Sequence, residues 1–296
     1  MTLPSPASHF AAERQRFHAS LLRSVLQVGV GGVVTNADKD SKLSVAIAAG
    51  IYSLLTFGTV NPIGQRLPGQ TSGNTFEDLV ASFLRSTFVT HLQHLRPGTW
   101  HVERITSRQQ SSIPLANYEQ YKHLSDLQKA VVGNNRLRAI LGQGYVIAPD
   151  VVVSRDPEDD HTINGSANLI DQTVARRASL RKGYNPDPIL HASISMKWTI
   201  RSDRAQNARS EALNLIRNRK GKLPHVAIVT GEPLPSRIAS IALGTGDIDC
   251  VYHFALYELY ETISTGNYPD ALEMLDIMID GKRLKDISDL PLDLAL

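Results

Sequence analysis

Three consecutive stretches, "LHASISMKWTI" (190–200), "SDRAQNARSEALNLIRNR" (202–219) and "HVAIVTGE" (225–232), constrain the fold more than any other part of the chain. The first reads as a buried strand. The second places Ala205, Ala208, Ala212, Leu215 and Ile216 on one face of a helix, and the third is a continuous apolar run suited to a sheet interior. Upstream, "GTWHVERITS" alternates like a strand, and "YVIAPDVVVSRD" gives two β-branched segments meeting at Pro149-Asp150. Helices dominate the amino-terminal part: Ser8 can cap one reaching about Gln27, a second runs from about Lys42 to Thr56, and a third from about Thr75 to Leu95 with Glu77 in its first turn. "NPIGQRLPGQTSGN" (61–74) reads as a long loop, "NYEQYKHLSDLQKAVVGNN" as a helix, and residues 155–190 as polar loops with one short element. "DCVYHFALYELYETIS" reads as a helix, followed by one more helix and a loop-like tail. The expected fold is α/β, a central mixed β-sheet flanked by helices, with residues 1–296 as one domain because no linker composition divides them.

Composition narrows the function. No run approaches the roughly 18 apolar residues of a membrane span, and "MTLPSPASHF" lacks the charged and apolar regions of a signal peptide. A single cysteine, Cys250, excludes an internal disulfide framework and fits a reducing compartment, so a cytoplasmic location is expected. The formal net charge of +2 hides an asymmetry. From Arg176 to Lys222 twelve Lys/Arg face three acids, whereas from Asp247 to Leu296 eleven acids face three bases. A basic block on a near-neutral chain suggests a polyanionic partner held at one face; compensated surface charge is the alternative. Glycine turns at "GVGGVV" (29–34) and "GTGDID" (244–249) lack the context of a nucleotide-binding motif, and His91 with His94 lacks a third metal ligand.

What remains is a constellation of Asp150, Lys197 and Glu211. A Pro-Asp bend can push a carboxylate out at a sheet end, and a buried lysine is costly unless carboxylates or a bound anion meet it. Two carboxylates make a hard oxygen site suited to magnesium, and a lysine beside them can hold a phosphate oxygen and orient a water. Arg201-Ser202-Asp203-Arg204 follows at once. Ser202 can cap the helix, leaving Asp203 and Arg204 in its first turn, where a helix end enters a groove. Arginine forks match guanine and an aspartate accepts from cytosine, so the segment suits G·C pairs. Arg204 and Glu211 lie on nearly one face, about 10 Å apart along the axis.

Pro149-Asp150, 46 residues, Lys197, 13 residues and Glu211 together resemble the PD-(D/E)XK nuclease pattern in a rearranged form, with Ser195 where the second acid usually stands. With Lys-Trp-x-x-Arg-Ser-Asp-Arg, the chain resembles the tetrameric type II restriction endonucleases that recognise CCGG cores. "RLPGQTSGNTFE", "LHASISMKWTIRSDRAQNARSE", "PSRIASIALGTGDIDCVYHFALYEL" and "GKRLKDISDLPLDLAL" carry the likeness. It implies a restriction-endonuclease-like fold and Mg2+ held by Asp150, Glu211 and the Met196 carbonyl. Lys197 would sit at the scissile phosphate, and Glu77 would be the additional acid beside the site. Arg201, Asp203 and Arg204 would read the inner CCGG pairs, Asp38 and Arg237 the outer G·C pair, and Gln70 the minor groove. The implied reaction is G^CCGGC cleavage with a four-base 5′ overhang, a 5′-phosphate and a 3′-hydroxyl. The implied assembly is a homotetramer, a dimer of dimers holding two copies of the DNA site, and a cognate methyltransferase would act on that site without stable binding. A non-catalytic DNA-binding protein on the same scaffold is the alternative.

Overall fold

The strands β1 (Trp100–Arg104), β2 (Val151–Arg155), β3 (Ile189–Lys197), β4 (His225–Thr230), β5 (Cys250–His253) and β6 (Leu284–Asp286) lie side by side in chain order in one sheet. This is a computed structural model, and it describes residues 7–29, 31–58, 69–105, 114–131, 136, 149–200, 202–244 and 246–296; the side chains of residues 69–70 and 202–205 lie outside that description. β1–β2 and β2–β3 pair antiparallel, while β3–β4, β4–β5 and β5–β6 pair parallel. The mixed sheet expected from the sequence is therefore present.

Parallel neighbours need crossovers. Helix α6 (Ser202–Asn218) joins β3 to β4, α7 (Pro235–Ala242) joins β4 to β5, and α8 (Leu256–Thr265) with α9 (Pro269–Asp280) joins β5 to β6. β5 is buried at every position and β4 at all but its first, as strands covered on both faces must be. Before the sheet come α1 (His9–Ser24), α2 (Lys42–Leu55) and α3 (Gly69–Leu84), the last followed by a π-helical turn at Arg85–Val89. Ser8 caps α1 through the Ala11 N–H at 3.3 Å, as its position suggested. Arg14 of α1 reaches Glu258 of α8 at 2.6 Å and Asp286 of β6 at 2.8 Å, fastening the amino-terminal helix to the carboxy-terminal half.

Several expectations are corrected. α3 begins at Gly69, inside the supposed loop, and the helical run continues through the π-turn to His91, close to the expected end near Leu95. The "NYEQYKHLSDLQKAVVGNN" helix is a 3-10 turn at Glu119–Tyr121 followed by α4 (His123–Val131). "DCVYHFALYELYETIS" is two elements, β5 then α8, and the tail contains β6 and a short helix, α10 (Leu290–Asp293), besides α9. The sequence reading contained no α7, although its Pro235 occupies a helix-starting position. Lys197 is the last residue of β3, so its ammonium emerges at the sheet end. Residues 155–190 do hold one short element, α5 (Asp160–Asn164). The β-branched segment before Pro149 lies outside the described residues.

Candidate active site

β2 and β3 run antiparallel with Val151 opposite Ile194, so the residue just before β2 lands beside the end of β3. That residue is Asp150. Its carbonyl accepts the Ile105 N–H at 2.9 Å, continuing the ladder to the β1 side, and its Oδ2 accepts the Met196 N–H at 2.6 Å. The carboxylate is thus aimed across the sheet end by backbone pairing on both sides.

Lys197 Nζ lies 3.9 Å from Asp150 Oδ2 and 3.8 Å from Glu211 Oε2, with 14% of its side chain exposed. Glu211 arrives from α6. Ala208, Ala212 and Leu215 bury that helix's packed face, and Glu211 stands beside them at the sheet end. Ser195 Oγ, on β3 two residues before the lysine, donates to Glu211 Oε2 at 3.2 Å. The sequence assigned Ser195 only the place of a missing acid; the structure gives it a contact.

Burial pushes the Asp150 carboxyl above the usual carboxylate range, against the pull of Lys197 and the Met196 N–H. Burial pushes Glu211 up as well, Lys197 pulls it back, and the charge of Asp150 adds to the rise. Glu77 is pushed up by burial, opposed by Arg104, whose Nε donates to it at 2.7 Å; Asp150 again adds to the rise. Arg104 also touches Asp78 at 3.2 Å and lowers Asp150 through its charge. Glu77 therefore belongs to the same electrostatic cluster, held in it by Arg104 of β1. Nothing in the sequence marked that arginine beyond its place in an alternating strand.

Two carboxylates converging on one ammonium form a place where a cation is already favoured. Among the described residues no group of three or more His, Cys, Asp or Glu side chains is arranged to hold a metal, so a nitrogen- or sulfur-rich centre is not present there. Two carboxylates with a backbone carbonyl suit a hard cation that keeps several of its waters.

The base-reading candidates fall in three places. Arg201 lies outside the described residues, and Asp203 and Arg204 occupy the first turn of α6, which begins at Ser202 itself rather than after a Ser202 cap. Gln70 is the second residue of α3. Asp38 and Arg237, far apart in sequence, form an ion pair. Arg237 Nη1 is also 3.9 Å from Glu232 Oε2, a buried carboxylate that the sequence reading passed over.

The NgoMIV restriction enzyme family matches residues 17–296. The chain is 56% identical over 288 residues to the type II restriction enzyme NgoMIV of Neisseria gonorrhoeae, spanning 97% of this chain and 99% of that one. The chain belongs to the NgoMIV restriction enzyme family. It is a site-specific endonuclease that binds DNA, and membership implies a divalent metal requirement; the non-catalytic alternative gives way. Similar solved structures are more distant. The type IIF restriction endonuclease Bse634I with cognate DNA shares 11% identity at a TM-score of 0.36, covering 90% of this chain and 91% of that one. The restriction endonuclease PspGI in a substrate DNA complex shares 13% identity at a TM-score of 0.27, covering 86% and 92%.

Proposed function

We propose that the enzyme, acting as a single domain over residues 1–296, cuts both strands of GCCGGC after the first G by Mg2+-dependent hydrolysis. The products carry a four-base 5′ overhang, a 5′-phosphate and a 3′-hydroxyl. The observation that carries this reading is the placement of Lys197 Nζ within 4 Å of both Asp150 and Glu211 at the carboxy-terminal end of β3. Asp150, Glu211 and the Met196 carbonyl would hold Mg2+, which supplies Lewis-acid polarisation and lowers the pKa of a nearby water. Lys197 neutralises the scissile phosphate and orients the attacking water; Ser195 keeps Glu211 turned inward; Glu77, with Arg104, sets the field behind Asp150.

Arg201, Asp203 and Arg204 read the inner pairs from the start of α6, Asp38 and Arg237 the outer pair, and Gln70 the minor groove. A palindrome needs a two-fold pair of protomers, one for each strand. The working assembly is a homotetramer that holds two sites, and a cognate methyltransferase modifies the same sequence without stable contact. No described helix is long and apolar enough to cross a membrane, and the proposed place of action is the cytoplasm, with its DNA.

The test is digestion of a plasmid bearing one GCCGGC site in Mg2+, with both ends mapped. Lys197→Ala should bind that site in Ca2+ with unchanged affinity and give no cleavage in Mg2+. Normal cutting by this variant would remove Lys197 from the chemistry, and ends mapped elsewhere would remove the proposed site.

A further inference from the structure

The turn at the end of β4, Thr230-Gly231-Glu232, is bonded to the backbone of Lys197, to the approach to Arg201, and to the elements that carry Arg237 and Asp38. Thr230 Oγ1 donates to the Lys197 carbonyl at 2.7 Å, and the Gly231 N–H donates to the same carbonyl at 3.3 Å. The Glu232 N–H in turn donates to Thr230 Oγ1 at 3.1 Å. The Glu232 carboxylate, 1% exposed, accepts the Ile200 N–H at 2.7 Å and the Leu234 N–H at 3.2 Å. Ile200 is the residue before Arg201, and Leu234 is the residue before α7, the helix that carries Arg237. The same carboxylate lies 3.9 Å from Arg237 Nη1. On the other side, Asn36 Nδ2 donates to the Gly231 carbonyl at 2.8 Å, two residues from Asp38, and Asn36 is 1% exposed. His253 Nε2 meets the Glu232 carbonyl at 3.2 Å from β5 and holds the turn from below.

A buried carboxylate is an expensive way to close a turn. Backbone N–H groups elsewhere in this chain are met by a neutral acceptor, as Thr35 Oγ1 does for Gln27, or by an exposed carboxylate, as Asp171 does for Thr173. Here the carboxylate meets two backbone N–H groups and, besides them, faces the guanidinium of Arg237.

We propose that the Gly231–Glu232 turn is the junction that fixes the outer-pair readers against the inner-pair readers, with Glu232 and Asn36 as its positioning residues. This rests on the readout assigned under Proposed function. Glu232 ties the entry to the inner readers and the guanidinium of Arg237 to one carboxylate, while Asn36 brings the Asp38 loop to the adjacent peptide. Selection of inner and outer pairs is thereby held in register, on a turn that also anchors the backbone of Lys197.

The test compares kcat/KM on three duplexes: GCCGGC, one altered at the outer pair (ACCGGT) and one altered at the inner pairs (GCGCGC). Glu232→Gln leaves one backbone N–H facing an amide NH2. It should lower the preference for GCCGGC over both altered duplexes by about tenfold, the scale of one misaligned bidentate base contact. Asn36→Ser should lower the outer-pair preference severalfold and leave the inner-pair preference unchanged. A merely structural role would reduce the active fraction equally on all three duplexes, so unchanged ratios overturn the proposal. If Glu232→Gln yields no folded protein, the Asn36→Ser ratios decide alone. Asp38→Ala and Arg237→Ala run alongside as controls. If these leave outer-pair choice intact, the readout assignment has failed and takes the junction with it. If they abolish it while Glu232→Gln and Asn36→Ser do not, the junction alone is wrong.

Discussion

Ser195 stands where the resemblance would place an acid, and its hydroxyl donates at 3.2 Å to Glu211, the acid proposed to take that role. Glu211 keeps 40% of its side chain exposed, so apart from Lys197 at 3.8 Å this bond is its main restraint. Hydrogen bonds to charged groups contribute about 1.5–3 kcal/mol, toward the lower end where water competes. Ser195→Ala should therefore slow single-turnover cleavage in Mg2+ roughly tenfold, each 1.4 kcal/mol being a factor of ten. Binding of the cognate duplex in Ca2+ should stay the same, since Lys197 and Asp150 keep their contact. A variant that cleaves at the wild-type rate would reduce Ser195 to a spacer. The three residues Asp150, Lys197 and Glu211 were legible in the sequence because a strand-end acid, a strand lysine and a helix acid at fixed intervals leave a linear trace. Arg104, Glu232 and Asn36 leave none, because their partners lie in distant segments and each contact forms only when the sheet closes.

Among the elements, the start of the β3–β4 crossover packs tightly against the turn that follows β4. A Cβ on Gly231 would lie 2.6 Å from Trp198 Cε3 and 3.0 Å from the Trp198 carbonyl oxygen. The indole cannot retreat: Phe76 packs at 4.9 Å between ring centroids and Phe254 at 5.6 Å. Gly231→Ala should cost about 1–3 kcal/mol, read as a lower urea midpoint with an unchanged m-value. A midpoint equal to wild type would show that the turn can relax. The crossover itself was readable because a polar-flanked helical face separates two apolar strands. β5 was not, since Cys250–His253 is buried at every position and runs into α8 without a breaker, so its period is indistinguishable from the helix that follows. The start of α3 was hidden for the opposite reason. Gly69, Gly73 and Asn74 are turn formers that tertiary packing holds in a helix, with Phe76 and Val80 fully buried on its inner face.

Over the whole molecule, two buried histidines away from the proposed carboxylate cluster contribute to acid sensitivity. Burial lowers the pKa of His191 to about 4 and that of His253 to about 4. Both are neutral when folded, yet take up a proton near pH 6.5 when unfolded. Their contribution is present above pH 6.5 and is lost as pH falls from there toward 4, because over that window the unfolded chain binds more protons. Urea unfolding in EDTA at pH 7, 5.5 and 4.5 should show a steep decline, and His191→Gln should flatten it. A stability independent of pH across that range would contradict the neutral assignment. The same scale gives meaning to the displacement of one acid from strand to helix. β3 is gripped by hydrogen bonds along both edges, to β2 and to β4, and cannot shift alone. α6 is held against the sheet along one face, and its first turn carries Asp203 and Arg204 while its third carries Glu211. Under the proposed readout, the base-reading turn and the Glu211 carboxylate ride on one helix, so a change in docking at its start has a direct path to the metal side.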